Sequence, residues 1–209
     1  VFTGWSVYYG VGDGTFVNSP HFEDTRVQRL QDIAVDLDGD GLLDLVSLRE
    51  DLPGVNTRRG TGKRGTPFGE DVPYPTSQVP DSLLVADLDS DGHRDLMAGV
   101  GSNTEHWRGV GDGRFQHQAT LATTVSAHIL QAVDWNGDGA IDLMFGWSNL
   151  RLRYGHGDGT FDPVVVCGLG LPGSAVAPFN IAADLDHDNT LDLVGRDNVF
   201  LGIDRCSAS

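Results

Sequence analysis

The stretch DLDGDGLLDLV at residues 36–46 recurs as DLDSDGHRDLM from Asp87, DWNGDGAIDLM from Asp134 and DLDHDNTLDLV from Asp184, at steps of 51, 47 and 50 residues. A self-similar period of this length restricts a chain to repeat architectures, in which one small unit is built several times and stacked on its neighbours. A second motif alternates with the first. It reads GVGDGTF at 10–16, GVGDGRF at 109–115 and GHGDGTF at 155–161, with a divergent form, GTGKRGTPF, at 60–68. The 28 glycines of the chain fit a sequence dense in tight turns.

Each unit reads as four short strands. In the third, ILQAVDW (129–135), IDLMFGW (141–147), LRLRYG (150–155) and FDPVVV (161–166) are the strands. The Asp-rich loop joins the first two, and an Asp-Gly turn, a strong hairpin signal, joins the last two. No helix-length amphipathic segment interrupts the pattern. The expected fold is therefore all-β: a small β-propeller of about four four-stranded antiparallel blades. The repeats fall at about 1–28, 29–79, 80–126, 127–176 and 177–209, the first and last partial, in one domain over 1–209. The partial units raise a closure question, since residues 6–10 and 199–202 compete for one third-strand place. A four-bladed ring closed by its two ends, a segment of a larger ring, and blades completed by neighbouring copies are the three solutions.

Charge identifies what the loops do. The formal net charge is −16, and 15 of the 30 acidic residues lie in the four loops. Carboxylates so concentrated repel one another, and a solvated surface does not explain the clustering, whereas cation binding does. Oxygen-bearing side chains stand at loop positions 1, 3, 5 and 9: Asp36, Asp38, Asp40 and Asp44; Asp87, Asp89, Asp91 and Asp95; Asp134, Asn136, Asp138 and Asp142; Asp184, Asp186, Asp188 and Asp192. Position 6 is Gly41, Gly92, Gly139 or Asn189, the residue types that accept a left-handed backbone. The carbonyl of position 7, at Leu42, His93, Ala140 and Thr190, would complete each shell. All-oxygen ligation with this many carboxylates suits Ca2+ rather than Mg2+. About four structural Ca2+ ions per chain are expected. An EF-hand is excluded, because position 12 is Ser47, Ala98, Phe145 or Gly195 instead of Glu and the flanks are strands.

The two motifs together resemble the FG-GAP/VCBS repeat family, the integrin-α-like β-propellers, over essentially the whole chain. The resemblance implies Ca2+ in the loop between the first and second strands of each blade, a secreted or cell-surface location, and a role in adhesion or binding to a glycan or an extracellular protein. It also implies a ligand face opposite the Asp loops, which here would carry Trp5, Arg49, Trp107, Trp147 and Asn149: an apolar ring beside polar groups is what a sugar site needs. The competing reading of these tryptophans is packing between blades. An enzyme is not expected, because no Gly-x-Ser-x-Gly, no His-Glu-x-x-His and no recurring acid pair outside the loops is present. A structural subunit of a filament, assembled through shared edge strands, is the alternative role.

The remaining features narrow the partners. The acidic balance argues against nucleic acid, which needs a basic surface. No apolar run approaches the roughly 20 residues of a membrane helix. Val1 in place of Met reads as a processed or cropped start. The run TRRGTGKRG at 57–65 holds four of the fourteen basic residues and lacks phosphate-loop spacing. It reads as a divergent hairpin tip or as an anion contact. Cys167 and Cys206 are either two buried thiols or a disulfide. A bridge between them would close a loop worth roughly 3–4 kcal/mol.

Overall fold

The computed structural model describes residues 5–24, 29–49, 53–63, 65–123, 128–146, 150–167, 179–195 and 199–200. Every regular element among them is a β-strand. The chain runs β1 (Trp5–Gly10), β2 (Phe16–Asp24), β3 (Arg29–Val35), β4 (Asp44–Arg49), β5 (Gly54–Arg58), β6 (Val72–Pro75), β7 (Ser82–Ala86), β8 (Asp95–Val100), β9 (Asn103–Gly109) and β10 (Phe115–Ala122). It continues β11 (Ile129–Val133), β12 (Asp142–Phe145), β13 (Arg151–Arg153), β14 (Val165–Val166), β15 (Phe179–Ala183), β16 (Asp192–Gly195) and β17 (Val199–Phe200).

These strands form three antiparallel four-stranded sheets, β3–β6, β7–β10 and β11–β14, each in sequence order. A three-stranded sheet, β15–β17, and a two-stranded one, β1–β2, flank them. The repeat reading is thus borne out as several blade-like sheets with the Asp loop between first and second strands. The fourth strand of the third sheet is shorter than its sequence suggested. Phe161 makes only an isolated bridge to Gly155, and the ladder resumes at Val165. Pro163 lies between them and has no N–H to give to a ladder. Among the described residues the terminal strands are not hydrogen-bonded into one shared blade: β1 pairs with β2, and β17 pairs with β16.

The four sheets from β3 to β17 stack in chain order, and the core lies between them. One cluster joins Leu37, Val46, Leu48 and Val55 of the first four-stranded sheet to Leu83, Leu96, Trp107 and Phe115 of the second. Another joins Leu88 and Met97 to Ile129, Leu143 and Phe145 of the third. A third joins Trp135, Met144, Leu150 and Leu152 to Ala182 and Leu193 of the last. Each side chain supplies about 1.5–3 kcal/mol on burial. None of these clusters can form from one unit alone, so neighbouring repeats stabilise each other.

Polar clips hold neighbouring first strands together. The Gln31 side chain both donates to the Leu83 carbonyl (3.0 Å) and accepts from its N–H (2.9 Å). Gln131 does the same at Ala182 (3.0 and 2.7 Å). Between them, the Ile129 N–H donates to Ser82 Oγ at 3.0 Å. Each clip satisfies backbone groups that the neighbouring first strand would otherwise leave unpaired.

His106 on β9 is the anomaly. It is buried, and neither ring nitrogen has a hydrogen-bond partner among the described residues. Burial pushes its pKa down to about 4, against the opposing pull of the Asp89 charge. The native ring therefore stays neutral while the unfolded chain protonates near pH 6.5. Stability should fall as pH drops from about 6.5 to 4, by roughly 1–3 kcal/mol. Leu152 fills the same ladder place in the next sheet. Denaturant melts of His106→Leu should lose most of this acid sensitivity; an unchanged pH profile would refute the assignment.

Candidate metal centres

The four loops share one hydrogen-bond plan. At position 1, Asp36, Asp87, Asp134 and Asp184 each accept the N–H of position 6 through Oδ2 (2.9–3.1 Å). At position 5, Asp40, Asp91, Asp138 and Asp188 each accept the N–H of position 7 (2.7–2.8 Å). These bonds wind the loop so tightly that two residues turn left-handed. Position 6 does so as expected, with φ from 67° at Asn189 to 90° at Gly139. Position 4 does too, at Gly39, Ser90, Gly137 and His187. That position escaped sequence reading because Ser and His are not residues that announce a positive φ.

Position 9 has a separate task. Asp44, Asp95, Asp142 and Asp192 are fully buried. One oxygen of each accepts the N–H of loop position 2, at Leu37, Leu88, Trp135 and Leu185 (2.8–3.0 Å). In the first three loops the other oxygen accepts the N–H of the glycine that opens the hairpin motif: Gly60, Gly109 and Gly155 (2.7–2.8 Å). The same glycines have no room for a side chain. A Cβ on Gly109 or Gly155 would stand 2.1 Å from the carbonyl of Arg94 or Ile141, the residue before the position-9 Asp. Burial raises the pKa of Asp95 and Asp142 above the usual carboxylate value despite these amide bonds.

The Asp of the Gly-Asp-Gly hairpin serves the turn itself. Asp158 accepts from the N–H of Thr160 at 2.9 Å, and Asp13 and Asp112 do the same two residues on. The divergent motif closes alike, with the Thr61 N–H on the Pro67 carbonyl at 2.9 Å. The basic run is thus a hairpin tip. Its Arg59 reaches the loop carboxylate Asp38 and the carbonyl of Asp112 in the next sheet.

Three loops bring carboxylate oxygens within 4.8 Å of one another: Asp36, Asp38 and Asp40; Asp87, Asp89 and Asp95; Asp184, Asp186 and Asp192. In the third, Asn136 replaces one carboxylate and donates to Asp138 at 2.8 Å. Asp87 Oδ1 and Asp184 Oδ1 are buried and have no hydrogen-bond partner among the described residues. A buried carboxylate oxygen without a donor is costly unless a cation faces it. The donor set, all oxygen and mostly anionic, fits Ca2+.

The expected ligand face fares differently. Trp107 is 3% exposed and packs in the core between the first two four-stranded sheets, edge-on to His117. It is a packing residue, a large aromatic held between two stacked sheets. Arg49 points its guanidinium at Asp71 (3.4 Å), which Arg58 also holds at 2.5 Å. Trp5 lies in β1. Trp147 and Asn149 lie outside the described residues. Cys167 is buried and disulfide-bonded. Its expected partner Cys206 also lies outside them.

An all-β stack of antiparallel sheets with one Asp loop and one glycine hairpin per unit defines a blade-repeat protein. The chain belongs to the FG-GAP-like repeat family, whose model matches residues 36–98, 87–145 and 134–195. No curated protein matches it. Among solved structures it is similar in fold to an Agrocybe aegerita lectin described for specific recognition of non-reducing terminal N-acetylglucosamine, with TM-score 0.55 and 22% identity over 78% of this chain and 46% of the lectin. It is also similar to the Photorhabdus luminescens Tc holotoxin pore, with TM-score 0.51 and 21% identity over 94% of this chain and 10% of that one. The chain thus spans less than half the length of either.

Asp142→Asn tests the position-9 role. An amide can accept from only one of the two N–H groups, Trp135 and Gly155, and turns a donor toward the other. In chelator, urea unfolding should show a loss of about 1–3 kcal/mol. Unaltered stability would mean the interlock is dispensable.

Proposed function

We propose that the protein is a non-enzymatic, Ca2+-binding β-propeller module that binds a glycan, or an extracellular protein, outside the cell or at its surface. The observation that carries the metal half is the convergence of loop carboxylates around buried oxygens of Asp87 and Asp184 that have no hydrogen-bond partner among the described residues. Positions 1, 3 and 5 would hold the ion, with the position-7 carbonyls of Leu42, His93, Ala140 and Thr190 and the buried position-9 Asp behind them. The ion supplies charge neutralisation to the loop. The chain's own amides do the winding.

The glycan half is supported by the fold likeness to a lectin and by a cleft of about 510 Å3. The cleft lies between the first loop and the 109–115 hairpin of the next sheet. Asp38, Asp40, Arg59, Asp112 and Arg114 give it polar walls, and Val72 an apolar one. Such a mixture suits a sugar, which presents hydroxyls and C–H faces together.

A second reading, a subunit completed by its own copies, is favoured by one observation. Loop position 2 is buried under the following sheet at Leu37, Leu88 and Trp135, but Leu185 is 49% exposed. Ile181 and Val199 of the same sheet are exposed too. That face is what a further blade or a second copy would cover.

Calorimetric titration should find about four Ca2+ per chain, and chelator should lower the melting temperature by binding linkage. A melt indifferent to chelator would refute structural Ca2+. In saturating Ca2+, N-acetylglucosamine is the first glycan to titrate; an absence of heat with it and with a glycan array would refute the lectin role. Light scattering separates the assemblies. A mass near the monomer's 22.4 kDa argues for a self-contained unit, and larger particles that dissociate in chelator argue for copies completing one another.

A further inference from the structure

The residue just before the hairpin glycine differs among repeats in one telling way. It is Arg59 before Gly60, Arg108 before Gly109 and Tyr154 before Gly155. The ladder confirms the equivalence: Arg58, Trp107, Arg153 and Phe200 face Leu45, Leu96, Leu143 and Leu193. The fourth repeat therefore has Leu201 at this place in sequence, outside the described residues.

Both arginines lie on loop carboxylates. Arg108 donates from Nε to Asp89 Oδ2 and from Nη2 to Asp91 Oδ2, each at 2.6 Å. Arg59 pairs with Asp38, and its Nη1 stands 4.0 Å from Asp44. The shared target is position 3: Asp38 in the first loop and Asp89 in the second. In the third repeat both members of this pair are neutral, Asn136 and Tyr154. In these three repeats guanidinium and position-3 carboxylate are present together or absent together, so the ligand carboxylates and the residue before the hairpin glycine sum to −3 in each. The fourth keeps Asp186, with Leu201 at the arginine's place in sequence.

We propose that Arg59 and Arg108 are built-in counter-ions of the first two loops, which a divalent cation must displace from Asp38, and from Asp89 and Asp91, in order to bind. The inference rests on the reading of the loops as Ca2+ sites. Asp89 and Asp91 are positions 3 and 5 of the second loop, the groups a cation would need. Two charge-assisted bonds to one planar guanidinium are the competing ligand. The side chain is 47% exposed, so it can swing into solvent when displaced. Arg59 is tied further, because it also donates to the Asp112 carbonyl across the cleft. Cation binding in the first loop therefore loosens a contact between two sheets, whereas in the second it frees a surface side chain. The guanidinium keeps each empty loop compact and makes its affinity for Ca2+ weaker than its four carboxylates alone would give.

The test is a Ca2+ titration followed by 1H–15N NMR in the whole chain, reading the position-6 amides of Gly41, Gly92 and Gly139, one per loop. Arg108→Tyr, which installs the residue of the third repeat, should lower the half-saturating Ca2+ at Gly92 by about two- to fivefold, the size of a paired surface charge. Gly139 should not move. Arg59→Tyr should do the same at Gly41. Should the tyrosine collapse the amide dispersion, Arg108→Gln removes the charge without adding a ring and carries the same expectation. A midpoint at Gly92 that is unchanged or raised overturns the counter-ion role while leaving Ca2+ binding intact. A wild-type chain in which no loop glycine responds to Ca2+ overturns the metal reading itself.

Discussion

One buried carboxylate per repeat holds the architecture together. The position-9 Asp spans two turns that are distant in sequence, taking an N–H from the loop with one oxygen and, at Asp44, Asp95 and Asp142, an N–H from the hairpin glycine with the other. The Asp loop and the glycine hairpin are therefore two halves of one lock. This is why they alternate along the chain. The glycine must be glycine because the loop backbone passes where its Cβ would be. Neither motif can drift without the other, since a buried carboxylate stripped of an amide partner carries its full desolvation cost.

The lock also sets the stacking. Holding the N–H of position 2 fixes the direction of that side chain, and Leu37, Leu88 and Trp135 are all driven into the following sheet. The inter-sheet core and the end of each blade are thus built by the same few atoms. The Gln31 and Gln131 clips act at the other layer, between first strands, where the neighbouring backbone would otherwise lack partners.

The period, the strand count per unit and the family were legible in the sequence because each is written several times over. What was not legible has a common cause: it depends on contacts between repeats, which a period cannot display. Trp107 looked available for a ligand and is core, because the facing sheet that covers it lies elsewhere in sequence. The position-9 Asp reads in the sequence as one more ligand, and Asp95 and Asp192 do stand among the converging carboxylates, but spacing does not reveal that loop and hairpin amides also claim its oxygens. The left-handed turn at Ser90 and His187 was hidden by residues that tolerate it only because the loop's own bonds enforce it. The Trp147 and Asn149 assignments rest on sequence alone.

The same aspartate pattern therefore serves two separable ends. Position 9 is buried and, at Asp44, Asp95 and Asp142, hydrogen-bonded through both oxygens, so it does its work whether or not an ion is near. Positions 3 and 5 are more exposed and face one another, so their mutual repulsion is what a cation, or an arginine in its place, would relieve. On this division a bound ion would not build the blade. It would remove a penalty from a loop whose shape the amides already dictate. The repeats then differ in how that penalty is met: by Arg59 and Arg108 in two, and by the loss of a carboxylate at Asn136 in a third. The fourth loop has four carboxylates and, in sequence, Leu201 in the arginine's place. By the same charge argument it has the most to gain from a cation.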